Sequence, residues 1–116
     1  MRDTTTTVAE LMKLVDDFVA ERHWEPFHDP KNLSCSIAIE AAELMAHFQW
    51  LRSDELDAVR EDRQAMEQIR EELADITAYV LSCASRMEID LSSALADKMK
   101  KNAIKYPAKE FRGRFK

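Results

Sequence analysis

Two stretches of the chain show apolar residues at the three- and four-residue spacing of a helix face. The two stripes are Ile37, Ala41, Leu44, Phe48 and Leu51, and Ile69, Leu73, Ile76, Val80 and Cys83. The spacing repeats from one stripe to the next about 32 residues later. This period indicates two helices, each with one face suited to a core.

A row of polar, mostly acidic residues accompanies each stripe. At about 100° per residue, each row falls on one edge of its predicted helix. The rows are Glu40, Glu43, His47 and Trp50 in the first helix, and Glu72, Asp75 and Tyr79 in the second. Both helices therefore carry two carboxylates one turn apart, at the same angle to the apolar stripe.

If the two stripes pack antiparallel, the four carboxylates meet at the rim of a small core. Bringing four like charges together out of water is strongly unfavourable without a cation. Carboxylate oxygens suit Mg²⁺, which usually keeps several positions for water or substrate phosphates. Such a metal polarises a phosphoryl oxygen and activates a water molecule. The pattern therefore predicts metal-assisted phosphate chemistry.

The acidic rows have two other interpretations. Glu-x-x-Glu and Glu-x-x-Asp are common on exposed helices, where they form surface salt bridges. Di-iron bundles instead place a His three residues after a Glu. Here His47 follows Glu43 by four residues, and Asp75 is not followed by a His at that spacing. Iron is therefore disfavoured, and His47 is expected in the wall of the site rather than as a ligand.

The remaining pattern predicts an all-α fold with four main helices, because no segment alternates apolar and polar residues. The first predicted helix starts after Thr7 and ends near Arg22. The second runs from about Pro30 to Leu51, and the third from about Gln64 to Met87. The fourth starts after Asp90 and stops before Pro107. Residues 53–63 read as a solvated connection. We expect one domain, 1–116, with its core at about 8–107 and a basic tail, 108–116, open to disorder.

The two acidic helices are apolar on more than one side, so a lone four-helix subunit cannot cover them. We expect an oligomeric helical bundle, even-numbered and with two-fold symmetry.

Composition excludes some function classes. The chain has one glycine among 116 residues. Walker loops and dinucleotide-binding fingerprints need at least two glycines, so neither motif is present. The absence of a long apolar run or signal core leads us to expect a cytoplasmic protein that does not enter a membrane. Cys35 and Cys83 fit no metal or redox spacing and read as core thiols.

Charge is unevenly distributed. Residues 98–116 carry eight Lys or Arg and one Glu. Residues 1–97 carry nine Lys or Arg and 21 Asp or Glu. The basic end is either a solvated helix terminus or a polyanion contact, and both interpretations stay open. The loop 23–33 holds two His, Trp24 and Phe27. It either folds onto the core or forms a base- or ligand-binding loop.

Four segments in this order and spacing resemble one family. They are WEPFHDPKNL (24–33), the run ending in ELMAHFQW at Trp50, EELADITAYV (71–80) and KMKKNAIKYP (98–107). Together with Glu40-x-x-Glu43 and Glu72-x-x-Asp75 they are similar to the all-α nucleoside triphosphate pyrophosphohydrolases, the MazG-like superfamily. Within it they look most like the dCTP pyrophosphatase branch.

The resemblance implies a house-cleaning hydrolase that cleaves deoxynucleoside triphosphates, with dCTP or modified cytidine-type nucleotides favoured, to monophosphate and pyrophosphate. It implies Mg²⁺, with Mn²⁺ as a possible substitute, and homo-oligomers that are dimers or dimers of dimers with sites between subunits. No nucleic acid polymer is expected as a partner. A non-catalytic helical oligomerisation module is the alternative.

The resemblance also implies residue roles. The metal ligands and catalytic carboxylates would be Glu40, Glu43, Glu72 and Asp75. The residues near the base would be Trp24, His28 and Trp50, and those around sugar and phosphates Tyr79, Lys98, Asn102 and Tyr106. The chain departs from the pattern before its Tyr-Pro pair, where Lys105 stands in a run that is usually richer in Arg. Base preference is therefore less well defined than reaction type.

Overall fold

The computed structural model describes residues 1–115, and helices form all the regular structure in that range. The four long helices are α1 (Val8–Glu21), α2 (Pro30–Ala46), α4 (Arg63–Arg86) and α5 (Leu91–Lys105). Two short helices are α3 (Leu56–Glu61) and α6 (Ala108–Phe111). Single turns of 3₁₀-helix lie at Glu25–Phe27 and Ser53–Glu55. The predicted all-α fold with four main helices is confirmed.

Polar caps fix the starts of the long helices. The side chain of Thr7 accepts the amide of Glu10 at 3.1 Å, and Asp29 accepts that of Asn32 at 2.8 Å. Asp62 caps α4 and Asp90 caps α5 in the same way. Each cap satisfies an amide that the first helical turn leaves without an intrahelical partner.

The C-terminal end of α2 differs from the prediction. The helix ends at Ala46 instead of Leu51, because the amides of His47 and Phe48 bond to carbonyls three residues back. This tighter hydrogen bonding turns the chain out of the α-helical path. Trp50 therefore lies beyond the helix and does not share its edge with the carboxylates.

Two segments contain helix that the pattern did not predict. The connection 53–63 forms the 3₁₀ turn and α3, and α6 forms in the tail directly after Pro107. The rings of Tyr106 and Phe111 meet edge to face at 5.3 Å, which folds the start of the tail back on α5.

Non-glycine residues turn the chain after α1 and α4. His23 and Glu88 adopt φ values of 53° and 54°, the left-handed conformation that glycine usually supplies. In both turns an amide reaches five residues back, from Trp24 to Val19 and from Ile89 to Ala84. The first turn directs the chain into the loop 23–29, and the second directs it into α5.

The core lies where α4 packs against both α2 and α1. Its buried apolar residues are Val19, Leu33, Leu81 and Ala84. Helix α5 adds little to this core, because every residue in it except Leu91 and Asn102 is exposed. The radius of gyration is 17.3 Å, against about 13 Å for a compact chain of this length. Within the described residues, the helices are too short or too polar to cross a membrane.

Candidate metal centre and nucleoside pocket

Three of the four predicted carboxylates form one cluster. Glu40 and Glu43 lie one turn apart on α2, and Glu72 faces them from α4. One carboxylate oxygen from each of the three lies within 4.8 Å of the others. The cluster forms because the apolar stripes of the two helices pack together and bring their acidic edges side by side.

The carboxylates of the cluster repel one another, and burial adds to the cost of their charge. Glu40 Oε2 and Glu72 Oε2 are buried and have no hydrogen-bond partner among residues 1–115. The pKa of Glu40 is raised from 4.5 to about 7, first by burial of its carboxylate and then by Glu43, Glu72 and Asp75. Hard oxygen ligands at this spacing, two of them unsatisfied, fit a divalent cation.

Asp75, the fourth predicted ligand, lies outside the three-residue cluster. Its side chain is exposed on α4, one turn beyond Glu72. Its negative charge still contributes to the raised pKa of Glu40, so it is close to the cluster. The structure therefore groups Glu40, Glu43 and Glu72 most closely, with Asp75 beside them.

His47 stands against the cluster, as expected for a residue of its wall. Its Nε2 lies 3.6 Å from Glu72 Oε1, and both side chains are largely shielded from solvent. This contact leaves the second oxygen of Glu72 free for another ligand.

A line of rings continues from the carboxylates along α4. Tyr79 follows Asp75 by one turn, and its ring centroid lies 6.5 Å from that of His28. The His28 ring is stacked at 27° to Trp24 with centroids 6.4 Å apart. Phe18 supports the other side of Trp24 at 5.8 Å, edge to face. The loop 23–29 thus brings two predicted base contacts next to the predicted sugar contact Tyr79.

The other predicted contacts do not join this group within one chain. Trp50 is 85 % exposed in the turn after α2. Lys98, Asn102 and Tyr106 lie on or just after α5, which is exposed along most of its length. A site that uses Lys98, Asn102 and Tyr106 needs a second chain or a movement of α5, and one that uses Trp50 needs a second chain or a movement of the turn after α2.

Several residues that organise the site were missed in the sequence. Arg86 and Asn32 donate to backbone carbonyls of the loop 23–29, and Ser85 donates to Asp16 at 2.8 Å across helices. An Arg in the last turn of a helix ordinarily reads as a complement to the helix dipole. The carbonyl partners of Arg86 lie about 60 residues earlier in the chain. Helical spacing therefore cannot predict these hydrogen bonds.

Comparisons with known proteins identify the family of the chain. The model of the MazG-like family matches residues 35–116. A crystal structure of a pyrophosphatase from Archaeoglobus fulgidus superimposes with a TM-score of 0.81 and 40 % identity. That match covers 92 % of this chain and 98 % of the other.

Curated relatives include dCTP pyrophosphatase 1 from Bos taurus, 36 % identical over 92 % of this chain, and from Homo sapiens, 35 % identical over 88 %. The chain spans 63 % and 60 % of the length of these two relatives. The resemblance noted in the sequence is thereby confirmed at the level of the family.

The raised pKa of Glu40 predicts a pH-dependent stability in metal-free protein. An acid whose folded pKa exceeds its unfolded value stabilises the fold below the unfolded pKa, here 4.5, and this contribution is lost as pH rises to about 7. Glu40→Gln removes the titrating group, so its melting temperature in chelator should fall less between pH 5 and pH 8 than that of the unchanged protein. Thermal unfolding followed by circular dichroism measures this difference.

Glu71→Gln is the matched control, because Glu71 is exposed and adjacent to Glu72 on the same helix. It should keep the pH dependence of the unchanged chain. Equal pH slopes for Glu40→Gln and Glu71→Gln would contradict the assignment.

Proposed function

The chain belongs to the MazG-like family, and from this premise we propose that it is a metal-dependent nucleoside triphosphate pyrophosphohydrolase. The reaction is hydrolysis of a deoxynucleoside triphosphate between the α- and β-phosphates, which yields monophosphate and pyrophosphate. The cellular role is removal of unwanted nucleotides from the pool. The relatives named dCTP pyrophosphatase 1 support dCTP or a modified cytidine-type nucleotide as the substrate.

One observation carries the proposal. Three carboxylates converge within 4.8 Å with two buried, unpartnered oxygens, and the same edge of α4 leads from them to a line of aromatic rings. A polyanion that ends in a flat heterocycle suits such a site once a cation is bound. From Glu72 to Tyr79 the helix advances about 10 Å, so the phosphate end and the nucleoside end are separated along one element.

The alternative of a non-catalytic helical module treats the acidic rows as surface salt bridges. Within residues 1–115, none of the ion pairs made by Lys and Arg includes Glu40, Glu43 or Glu72. Glu72 instead lies close to His47. Acidic residues selected for salt bridges would have basic partners. The cluster therefore favours the enzyme.

We assign Mg²⁺ to the cluster, held by Glu40, Glu43 and Glu72, with Mn²⁺ as a substitute. Once bound, the metal supplies charge neutralisation and polarisation of the phosphoryl oxygens. Asp75, exposed one turn from Glu72, completes the ligand set or accepts a hydrogen bond from the attacking water. Because Glu40 must lose its proton before it can bind a cation, metal affinity should weaken below pH 7.

The nucleoside lies toward Tyr79, His28 and Trp24. Stacking between a base and aromatic side chains contributes about 1–3 kcal/mol per base, and Trp24 and Trp50 are 42 % and 85 % exposed. The buried Nδ1 of His28 has no hydrogen-bond partner in the part of the chain that the structure describes.

We also propose that the functional unit is a dimer or a dimer of dimers. A groove of about 540 Å³ between α1 and α4 is lined mainly by apolar residues, and its side chains at Leu14 and Leu73 are exposed. A second copy that covers this groove would bury them. It would also let α5 of one chain bring Lys98, Asn102 and Tyr106 to the triphosphate held by the carboxylates of another.

The product assay tests the proposed reaction. We expect each active deoxynucleoside triphosphate to yield monophosphate and pyrophosphate with Mg²⁺, and neither product with a chelator. Glu72→Gln should reduce turnover by about a hundredfold or more, because the charge that balances the cation is lost. Glu71→Gln should retain full activity. Chromatographic separation of the nucleotide products over a panel that includes modified cytidine nucleotides measures all of this.

Diphosphate and phosphate as products would contradict α–β cleavage. Equal activity in Glu72→Gln and Glu71→Gln would contradict the assigned site. Absence of turnover over the whole panel would favour the non-catalytic module.

The oligomer is tested by sedimentation velocity. The unchanged chain should sediment as two or four copies, and Leu14→Asp should shift it to the monomer, because a charge in the groove cannot be buried without a partner. Lys13→Asp introduces the same side chain at the neighbouring position, which lies outside the groove lining, and should leave the assembly intact. A monomeric unchanged chain would contradict the proposal.

A further inference from the structure

The loop 23–29, which carries Trp24 and His28, is not held in place by burial. Trp24 is 42 % exposed and Phe27 is 67 % exposed. Between this loop and the helices lies a cavity of about 240 Å³, lined by residues that include Asp16, Glu25 and Arg86. Because the space behind the loop is not filled by apolar side chains, a polar interaction adds to the ring contacts of Trp24 and His28 in defining its position.

Side-chain donors from two helices supply that interaction. Arg86 donates from Nη2 to the carbonyl of Glu25 at 2.6 Å and from Nε to the carbonyl of His28 at 3.1 Å. Asn32 donates from Nδ2 to the carbonyl of Phe27 at 3.2 Å. Three backbone carbonyls within four residues are therefore fixed by two side chains, and Arg86 holds both ends of the 3₁₀ turn.

The chemistry of Arg86 suits this task. A guanidinium is planar, always charged and presents several N–H groups in a fixed fork, whereas a lysine ammonium is a single flexible point charge. Hydrogen bonds from a charged donor are stronger than those between neutral groups. The residue is also rigidly placed, because the preceding Ser85 donates to Asp16 of α1 at 2.8 Å. Arg86 thus holds the loop in a fixed position relative to α1 and α4.

We propose that Arg86 is a positioning residue that determines nucleobase discrimination by holding Trp24 and His28 in register with Tyr79. This inference rests on the proposed function, since it assigns the loop to the base. Arg86 acts through the loop backbone and needs no contact with the nucleotide. Without Arg86, the His28 ring is no longer held at a fixed distance from Tyr79. The different bases then contact the same loosely ordered residues, and discrimination between them falls.

The test compares Arg86→Met and Arg86→Lys with Lys13→Met, a change at an exposed cation whose ion pair is with Asp17. Steady-state kinetics are measured for the four deoxynucleoside triphosphates. Arg86→Met should lower kcat/KM for the preferred nucleotide by about tenfold to a hundredfold, since small misplacements of binding groups have effects of this size. The loss should lie mainly in KM, and the ratio between best and worst substrates should shrink.

Arg86→Lys should recover only part of the selectivity, because it cannot hold both carbonyls as a planar fork. Lys13→Met should behave as the unchanged chain. A uniform fall of kcat for all four nucleotides, or an unchanged selectivity ratio in Arg86→Met, would overturn the proposal.

Hydrogen exchange provides a readout that does not depend on activity. The amides of Phe27 and His28 bond to the carbonyls of Trp24 and Glu25, and in Arg86→Met they should exchange about tenfold faster or more. Amides in the centre of α4 should keep their protection. Unchanged exchange rates of the loop amides in Arg86→Met would overturn the proposal that Arg86 holds the loop in place. If the unchanged chain cleaved no nucleotide, the proposed function would fail while exchange still decided whether Arg86 orders the loop.

Discussion

The repulsion among carboxylates at the contact of α2 and α4 is the constraint on which the rest of the structure depends. The packing of α2 against α4 is what brings Glu40, Glu43 and Glu72 together. The metal-free chain accommodates this repulsion by keeping a proton on Glu40 up to about pH 7. In the proposed function a divalent ion would relieve this cost, and cation binding would then be coupled to folding.

Helix α4 connects the parts of the site. From its N-terminal half to its last turn, it carries the carboxylates Glu72 and Asp75, the ring of Tyr79 and the guanidinium of Arg86. The proposed metal ligands, base wall and loop anchor therefore share one helix, which is packed against α1 and α2. The exposed α5, which carries Lys98 and Asn102, is not part of this frame and joins the site in our account only through assembly.

The limits of prediction from sequence follow from the range of each interaction. Glu40, Glu43 and Glu72 could be predicted because helical period alone sets which residues share an edge. Trp50 was misplaced because the tightening of the chain after Ala46 leaves no mark in the apolar pattern. The role of Arg86 was invisible because its partners are backbone carbonyls, which carry no residue identity. Asp75 was grouped with its neighbours by spacing, although its side chain stands at the exposed margin.

The most direct test of the central claim is the position of the cation. A crystal grown with Mn²⁺ and a non-hydrolysable deoxynucleoside triphosphate would locate the ion by its anomalous scattering. The account predicts a peak in direct contact with the oxygens of Glu40, Glu43 and Glu72, about 2.0–2.4 Å away, and bridged to the phosphates. A nucleotide bound with the ion elsewhere, or with these carboxylates free of metal, would contradict it.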